Sequence, residues 1–310
     1  MTDAVSTKRA GSSGLGRRIL IAIPYVWLLI FFLAPFVIVL KISLSDATIA
    51  QPPYTPLLDL SAGWQGVVEW WNGLDFENYT LLTEDELYWV SYLSSLRIAV
   101  ISTLLMLLIG YPMAYAMARA PKSIRPALVM AVILPFWTSL LIRVYAWIGI
   151  LSPEGLLNAF LLWTGIISEP LYIMNTETAV LIGIVYSYLP FMVLPLYASL
   201  EKLDESLLEA AADLGSPPWK AFWQITVPLS IPGVIAGCFL VFIPAVGEFV
   251  IPDLLGGSET LMIGKTLYNE FFLNRDWPVS SAIAVLLLLV LVVPIAVYQN
   301  VQARQLEGKA

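Results

Sequence analysis

Three ionisable side chains sit within otherwise apolar stretches of this chain: Arg97, Arg143 and Glu248. A charge at membrane depth costs about 2.5–3.5 kcal/mol on insertion scales, so each needs a partner or a task. At about 1.5 Å of rise per helical residue, antiparallel apolar runs bring all three to one level, in the outer third of a bilayer. Two readings follow. Arg143 and Glu248 form a structural ion pair, joined by Arg97, or Glu248 is the counter-charge for a cationic solute on a transport path. Pro244 and Gly247 loosen the segment just before Glu248, which lets backbone carbonyls turn toward a cavity. Tyr145, Trp147, Tyr186, Tyr188 and Phe249 are candidate aromatic walls, suited to ammonium groups through cation–π attraction. Aromatics near span ends also serve as interfacial anchors, which is the competing reading for each.

Other chemistry is excluded by residue type. The chain has no histidine, and its single cysteine, Cys238, lies in an apolar stretch where it has no intrachain disulfide partner. Zinc sites and histidine-dependent nucleophiles are therefore not expected, and neither a metal nor a catalytic residue is assigned. Gly264-Lys265-Thr266 resembles the end of a phosphate-binding loop, but Glu259 stands where that loop needs glycine. Nucleotide binding by that route is not expected, and no cofactor is assigned to this chain.

The elements that position these residues follow from composition. Hydrophobic residues make up 59% of 310 and charged residues 13%, too little charge to cover a soluble fold, so the chain belongs in a bilayer. Six spans are expected: Ile19–Leu40, Leu93–Ala118, Ala127–Leu151, Ala179–Leu200, Ile231–Ile251 and Ser281–Tyr298. The first covers 22 residues, about 33 Å as a helix, and reads as an uncleaved span rather than a signal core. Eleven of sixteen Lys/Arg fall in the first 18 residues, the 119–125 turn, the 201–230 segment and the last residues. By the positive-inside rule those regions face the cytoplasm, giving an N-in/C-in, all-α integral membrane protein. The outward connections hold fifteen of twenty-three acids. Such a face concentrates cations, although loops that must be exported also lack Lys and Arg for topological reasons.

The expected organisation is a tail (1–18), a first span with a long outer connection (19–92), a core (93–299) and a second tail (300–310). Within the core, the 201–230 segment is unusual. Ser206 and Glu209 form a capping-box spacing, Leu207, Leu208, Ala210, Ala211 and Leu214 give a short helix an apolar surface, and Gly215 can stop it in the left-handed conformation. Pro217 and Pro218 favour a second short helix over Trp219–Gln224, with Pro228 expected to break the run. A greasy helix-turn-helix between two spans either lies on the lipid surface or fits a groove on another protein.

The spacing Glu209-Ala210-Ala211, then Gly215, then Ile225-Thr226-Val227-Pro228 resembles the "EAA" signature of inner-membrane permeases of bacterial ABC importers, with Val227 where leucine is usual. The resemblance implies a MetI-like fold in which this hairpin is the coupling segment docked on a separate ATPase. Leu141-Ile142-Arg143-Val144-Tyr145-Ala146-Trp147, the stretch Pro244–Gly257 and Asn274-Arg275-Asp276-Trp277-Pro278 are similar to the polyamine-importer branch, nearest its putrescine-uptake type. That branch implies a second permease subunit, an ATPase dimer using ATP and Mg, a periplasmic polyamine-binding protein and a lipid bilayer as partners, with no nucleic acid. Asp253 then joins Glu248 among the path residues. Import of another solute (sulfate, thiosulfate or iron) and a channel or sensor subunit without an ATPase remain the competing functions. Putrescine and spermidine are not separated by these residues.

Overall fold

A computed structural model describes residues 14–59, 61 and 63–307. The expected tails fall partly on residues 1–13 and 308–310, which lie outside the described residues. Among the described residues, five helices are long and apolar enough to cross a membrane, and two shorter apolar helices cover Arg125–Trp137 and Trp277–Val292.

Two compact units are distinguished, one made of residues up to Leu81 with Arg275–Leu289, the other of Leu82–Asn274 with residues from Val290 onward. The first unit begins with α1 (Gly14–Leu28), which runs through one π turn into α2 (Ala34–Ile42). Chain 43–81 then folds back on the end of α2. Lys41 Nζ donates to the Pro56 carbonyl at 2.6 Å, the Asp75 amide donates to the Leu44 carbonyl at 3.0 Å, and Asn78 Nδ2 donates to the carbonyls of Ser43 and Ser45. A two-residue antiparallel ladder, β1 (Asp46–Ala47) with β2 (Tyr54–Thr55), and the helix α3 (Gly63–Asn72) are carried on these ties.

The second unit is built on α5 (Glu86–Arg119), α9 (Glu177–Leu200) and α12 (Val227–Val246), which pack on one another. The short α4 (Glu77–Glu84) precedes α5, whose start is capped by Asp85, its carboxylate accepting from the Leu87 amide at 2.8 Å. Small residues let these helices approach, as is usual where lipid supplies no hydrophobic drive. A Cβ on Gly110 would meet Met192 at 3.1 Å, and one on Gly233 would meet Ser199 at 2.5 Å. Ile98, Ala99, Met106, Met192, Val193 and Ala245 fill the seam and are fully buried.

Two expected spans are broken. The third, expected over Ala127–Leu151, divides into α6 (Arg125–Ile133), a 3-10 turn to Trp137, and α7 (Leu140–Leu151), which continues to α8 (Leu156–Trp163). Extended backbone at Thr138 and Ser139 makes the interruption, and Pro135 sits just before it. The fifth stops at Val246, and chain resumes as α13 (Val250–Leu255), so Gly247–Phe249 is a gap between two helices. Pro228 does not break the chain as expected. It lies inside continuous helix, just after the π turn Phe222–Thr226, a local adjustment of the kind that accommodates proline in membrane helices, so α11 (Pro218–Ala221), that turn and α12 run together from Pro218 to Val246.

Candidate functional site

The hairpin comprises α10 (Ser206–Asp213), a turn and α11. Its first turn is not closed by a Ser206–Glu209 box. Asp204 caps it instead, accepting the Ser206 amide at 3.0 Å, while the Glu205 carbonyl takes the Glu209 amide at 3.1 Å. The box fails because Ser206 already lies inside the helix rather than ahead of it. Ser206 thereby holds the Asp204 carboxyl below the usual carboxylate range, through its amide and then its hydroxyl. At the far end Gly215 has φ +77°, and the Gly215 and Ser216 amides close on the carbonyls of Ala212 and Ala211. Ala210 and Pro217 are exposed along the hairpin and Ala211 is half-buried; beyond it, Ile225 in the π turn is half-buried and Pro228 in α12 exposed. Leu207, Leu214, Trp219 and Trp223 point large apolar surfaces outward with nothing covering them.

The hairpin is anchored at both ends. Arg119 pairs with Glu205 at 3.3 Å and Arg125 with Glu201 at 3.5 Å. Phe222 packs edge-on against Tyr111 and Tyr115, and the hydroxyls of Tyr111 and Ser230 lie 2.8 Å apart. Helical chain then runs unbroken from Pro218 for 29 residues, about 43 Å, to the gap at Gly247.

Glu248 lies in that gap with 6% of its surface exposed. Its Oε1 accepts the amides of Phe249, Val250 and Ile251 at 3.1, 2.9 and 3.3 Å, and its Oε2 accepts the Tyr188 hydroxyl. The carboxylate therefore starts α13, satisfying amides that no preceding turn reaches and opposing the positive end of that helix. The ion pair, one of the two readings of these charges, is not formed. Arg143 Nε and Nη1 are buried without a hydrogen-bond partner, and the guanidinium sits 5.1 Å from the Phe136 ring centre. Arg97 joins neither residue and pairs with Glu177, the first residue of α9. Equal depth along the spans did not bring the charges together, because depth leaves the direction each side chain takes around its helix undetermined.

The expected aromatic walls divide into separate groups. Tyr188 and Phe249 flank the gap, with Phe249 stacked on Tyr268 at 5.0 Å. Trp147 and Tyr186 pack edge-on at 5.4 Å and line an apolar groove of about 430 Å³ with Leu105 and Ile109. Tyr145 is exposed on α7, and Asp253 pairs with Lys265 at 3.7 Å. Lys265 belongs to α14 (Ile263–Tyr268), whose Gly264 lets it rest on the gap: a Cβ there would lie 2.4 Å from the Gly247 carbonyl oxygen. The Gly-Lys-Thr triplet is thus a packing feature. Sequence reasoning missed Glu270, a buried acid that accepts Tyr88 Oη at 3.1 Å and Asn274 Nδ2 at 2.9 Å. Its spacing of four from Asn274 was the available signal.

Interrupted apolar helices with an exposed apolar hairpin between two of them make this a membrane protein of several spans. The chain belongs to the family of binding-protein-dependent transport system inner membrane components, whose model matches residues 123–306. It is 49% identical over 222 residues to the spermidine/putrescine transport system permease protein PotB of Escherichia coli K12, covering 72% of this chain and 80% of that one. Against PotB of Haemophilus influenzae it is 41% identical over 282 residues, 91% of this chain and 92% of that one. The molybdenum transport system permease protein ModB of Mycobacterium bovis is 31% identical over 209 residues, 66% of this chain and 75% of that one. Among solved structures, a bacterial ABC transporter that imports the acidic polysaccharide alginate aligns with TM-score 0.63 at 18% identity, covering 94% of this chain and 96% of that one. That likeness concerns the fold.

Proposed function

We propose that this chain is one permease subunit of an ATP-driven polyamine importer, taking putrescine or spermidine across the bacterial inner membrane. The observation that carries the substrate is the 49% identity with a spermidine/putrescine permease across 80% of its length, set against 31% for a molybdenum permease. A second permease subunit completes the path, a periplasmic polyamine-binding protein delivers the solute, and ATP with Mg is used by a separate ATPase dimer.

Transport works by alternating access. Ser206, Glu209, Ala210, Ala211, Gly215 and Pro217 shape the face that the ATPase grips, with Leu207, Leu214, Trp219 and Trp223 as its apolar contacts. Ile225 and Pro228 lie where that face joins the stem. Closure of the motor displaces the hairpin, and the helical stem from Pro218 to Val246 carries the displacement to the gap that Glu248 closes. A stiff lever ending at a break concentrates movement at the break, where carbonyls of Gly247 and Glu248 are outside regular helix. Glu248 acts by holding the gap in shape, Tyr188 and Phe249 supply the aromatic surface beside it, and Trp147 and Tyr186 offer a separate aromatic groove, with Tyr145 exposed on α7.

Uptake of labelled putrescine in cells that depend on this permease and its neighbouring subunits tests the reading. Competition by unlabelled spermidine and none by thiosulfate, molybdate or iron is expected. Competition by an anion and none by spermidine overturns it.

A further inference from the structure

The helix α3 presents an uncovered stripe. Trp64, Val68 and Trp71 stand at positions i, i+4 and i+7, one face of a helix, and are 78%, 40% and 69% exposed. Gln65, Glu69 and Asn72 occupy the adjacent exposed face, and Gly66 lies on the buried one. Leu57 and Leu58, just ahead of the helix, are also exposed.

The excursion bearing this stripe is tied by both ends to one place, the end of the first apolar span. Ahead of α3, Pro56 is held by Lys41 Nζ, and that ammonium also lies 4.1 Å from the Tyr54 ring centre. Behind α3, Asp75 donates its amide to Leu44, and the hydroxyls of Tyr79 and Ser43 lie 2.7 Å apart. The two ends also meet each other: a Cβ on Gly73 would be 3.0 Å from the Pro56 ring. The tie point is where the apolar run of the first span ends, the place at which a span of that length leaves the hydrocarbon layer. Apolar chain ends there, Lys41 turns its ammonium to the Pro56 carbonyl and an aromatic face, and Tyr54 packs at 6.3 Å on Trp277, the first residue of the last apolar helix.

We propose that α3 lies in the headgroup zone of the outer leaflet, with Trp64, Val68 and Trp71 seated among the lipids. A stripe of two tryptophans and a valine suits that zone, where an indole keeps its apolar body in lipid and its N–H in water. Free interfacial helices draw on lysine and arginine to reach an anionic surface, and α3 has neither. It does not need them, because the span already holds it there. The helix thus fixes the depth of the first span and the level of the outer connection independently of the solute carried.

The test uses the full chain with its partner subunits in phosphatidylethanolamine/phosphatidylglycerol liposomes. Cys238→Ser removes the native thiol, and nitroxide labels are placed singly at Val68→Cys, Trp71→Cys, Gln65→Cys and Asn72→Cys. Collision with oxygen, which concentrates in lipid, is compared with collision with a water-soluble nickel chelate. The expected result is an oxygen-to-nickel ratio several-fold higher at 68 and 71 than at 65 and 72, unchanged when the periplasmic binding protein is added. A ratio equal at all four positions overturns the proposal. So does water exposure at 68 and 71 that disappears only on adding the binding protein, which assigns the stripe to that protein instead. Labelling at 65 and 72 disturbs no apolar contact, so the comparison survives if Trp71→Cys fails to assemble.

Discussion

Tyr188 donates its hydroxyl proton to Glu248, tying the middle of α9 to the gap between α12 and α13. The other carboxylate oxygen takes the first amides of α13, so one acid organises a helix start and a helix-to-helix contact together. A glutamine at this position keeps an acceptor for the amides, whereas alanine keeps none. Glu248→Ala is expected to lose about 1–3 kcal/mol through orphaned buried partners, with a lower thermal midpoint of the purified complex and little uptake. Glu248→Gln is expected to retain more of both. Equal loss of uptake in the two variants, with stability kept, would assign Glu248 the counter-charge role instead.

Arg143 has buried nitrogens without acceptors and is not paired with Glu248. Exchanging the charges, Arg143→Glu with Glu248→Arg, is expected to leave transport as poor as either single variant, because α13 loses its start and no pair is recreated. Recovery of putrescine uptake in the double variant contradicts this.

Gly264 and Gly183 make a paired comparison. A methyl group at Gly264 would sit 2.4 and 2.6 Å from the carbonyl oxygens of Gly247 and Glu248, which are backbone atoms and not the ends of flexible side chains. At Gly183 the obstacles are side-chain atoms of Leu255 and Ile251, at 2.7 and 2.8 Å. Gly264→Ala is expected to be the more damaging, by about 1–3 kcal/mol or more, and Gly183→Ala the milder, since side chains can change rotamer. Thermal unfolding in detergent checks the order.

The hairpin carries a pH signature. Asp204 has a carboxyl pKa held below its unfolded value by Ser206, so its ionised form stabilises the first turn of α10 at neutral pH. That contribution is lost as the pH falls below the ordinary aspartate value of about 3.9 and through the lower folded one. The difference in hydrogen-exchange protection at residues 206–209 between wild type and Asp204→Asn should stay constant near neutral pH and shrink on acidification. A difference that widens toward acid contradicts the cap.

The spans and the hairpin were legible because apolar length, glycine and proline act locally. Gly215 takes the left-handed conformation that its place after Leu214 suggests. The cap was misplaced because Asp204 and Ser206 each suit that role and only chain geometry chooses between them. Pro228 was read as a breaker because the π turn at Phe222–Thr226 that accommodates it leaves no signature in the sequence. The charge partners were illegible for a different reason. Glu177 and Glu248 lie far along the chain from Arg97 and Tyr188, and no spacing rule spans such a distance.

Coupling through the hairpin is the central claim, and transport in proteoliposomes holding this chain, its partner permease, the ATPase and the binding protein tests it most directly. ATP-driven accumulation of labelled polyamine is expected in the wild type and is expected to vanish in Gly215→Pro, where proline cannot adopt φ +77°, with the ATPase still bound. Wild-type accumulation by Gly215→Pro, with normal ATPase retention, contradicts it.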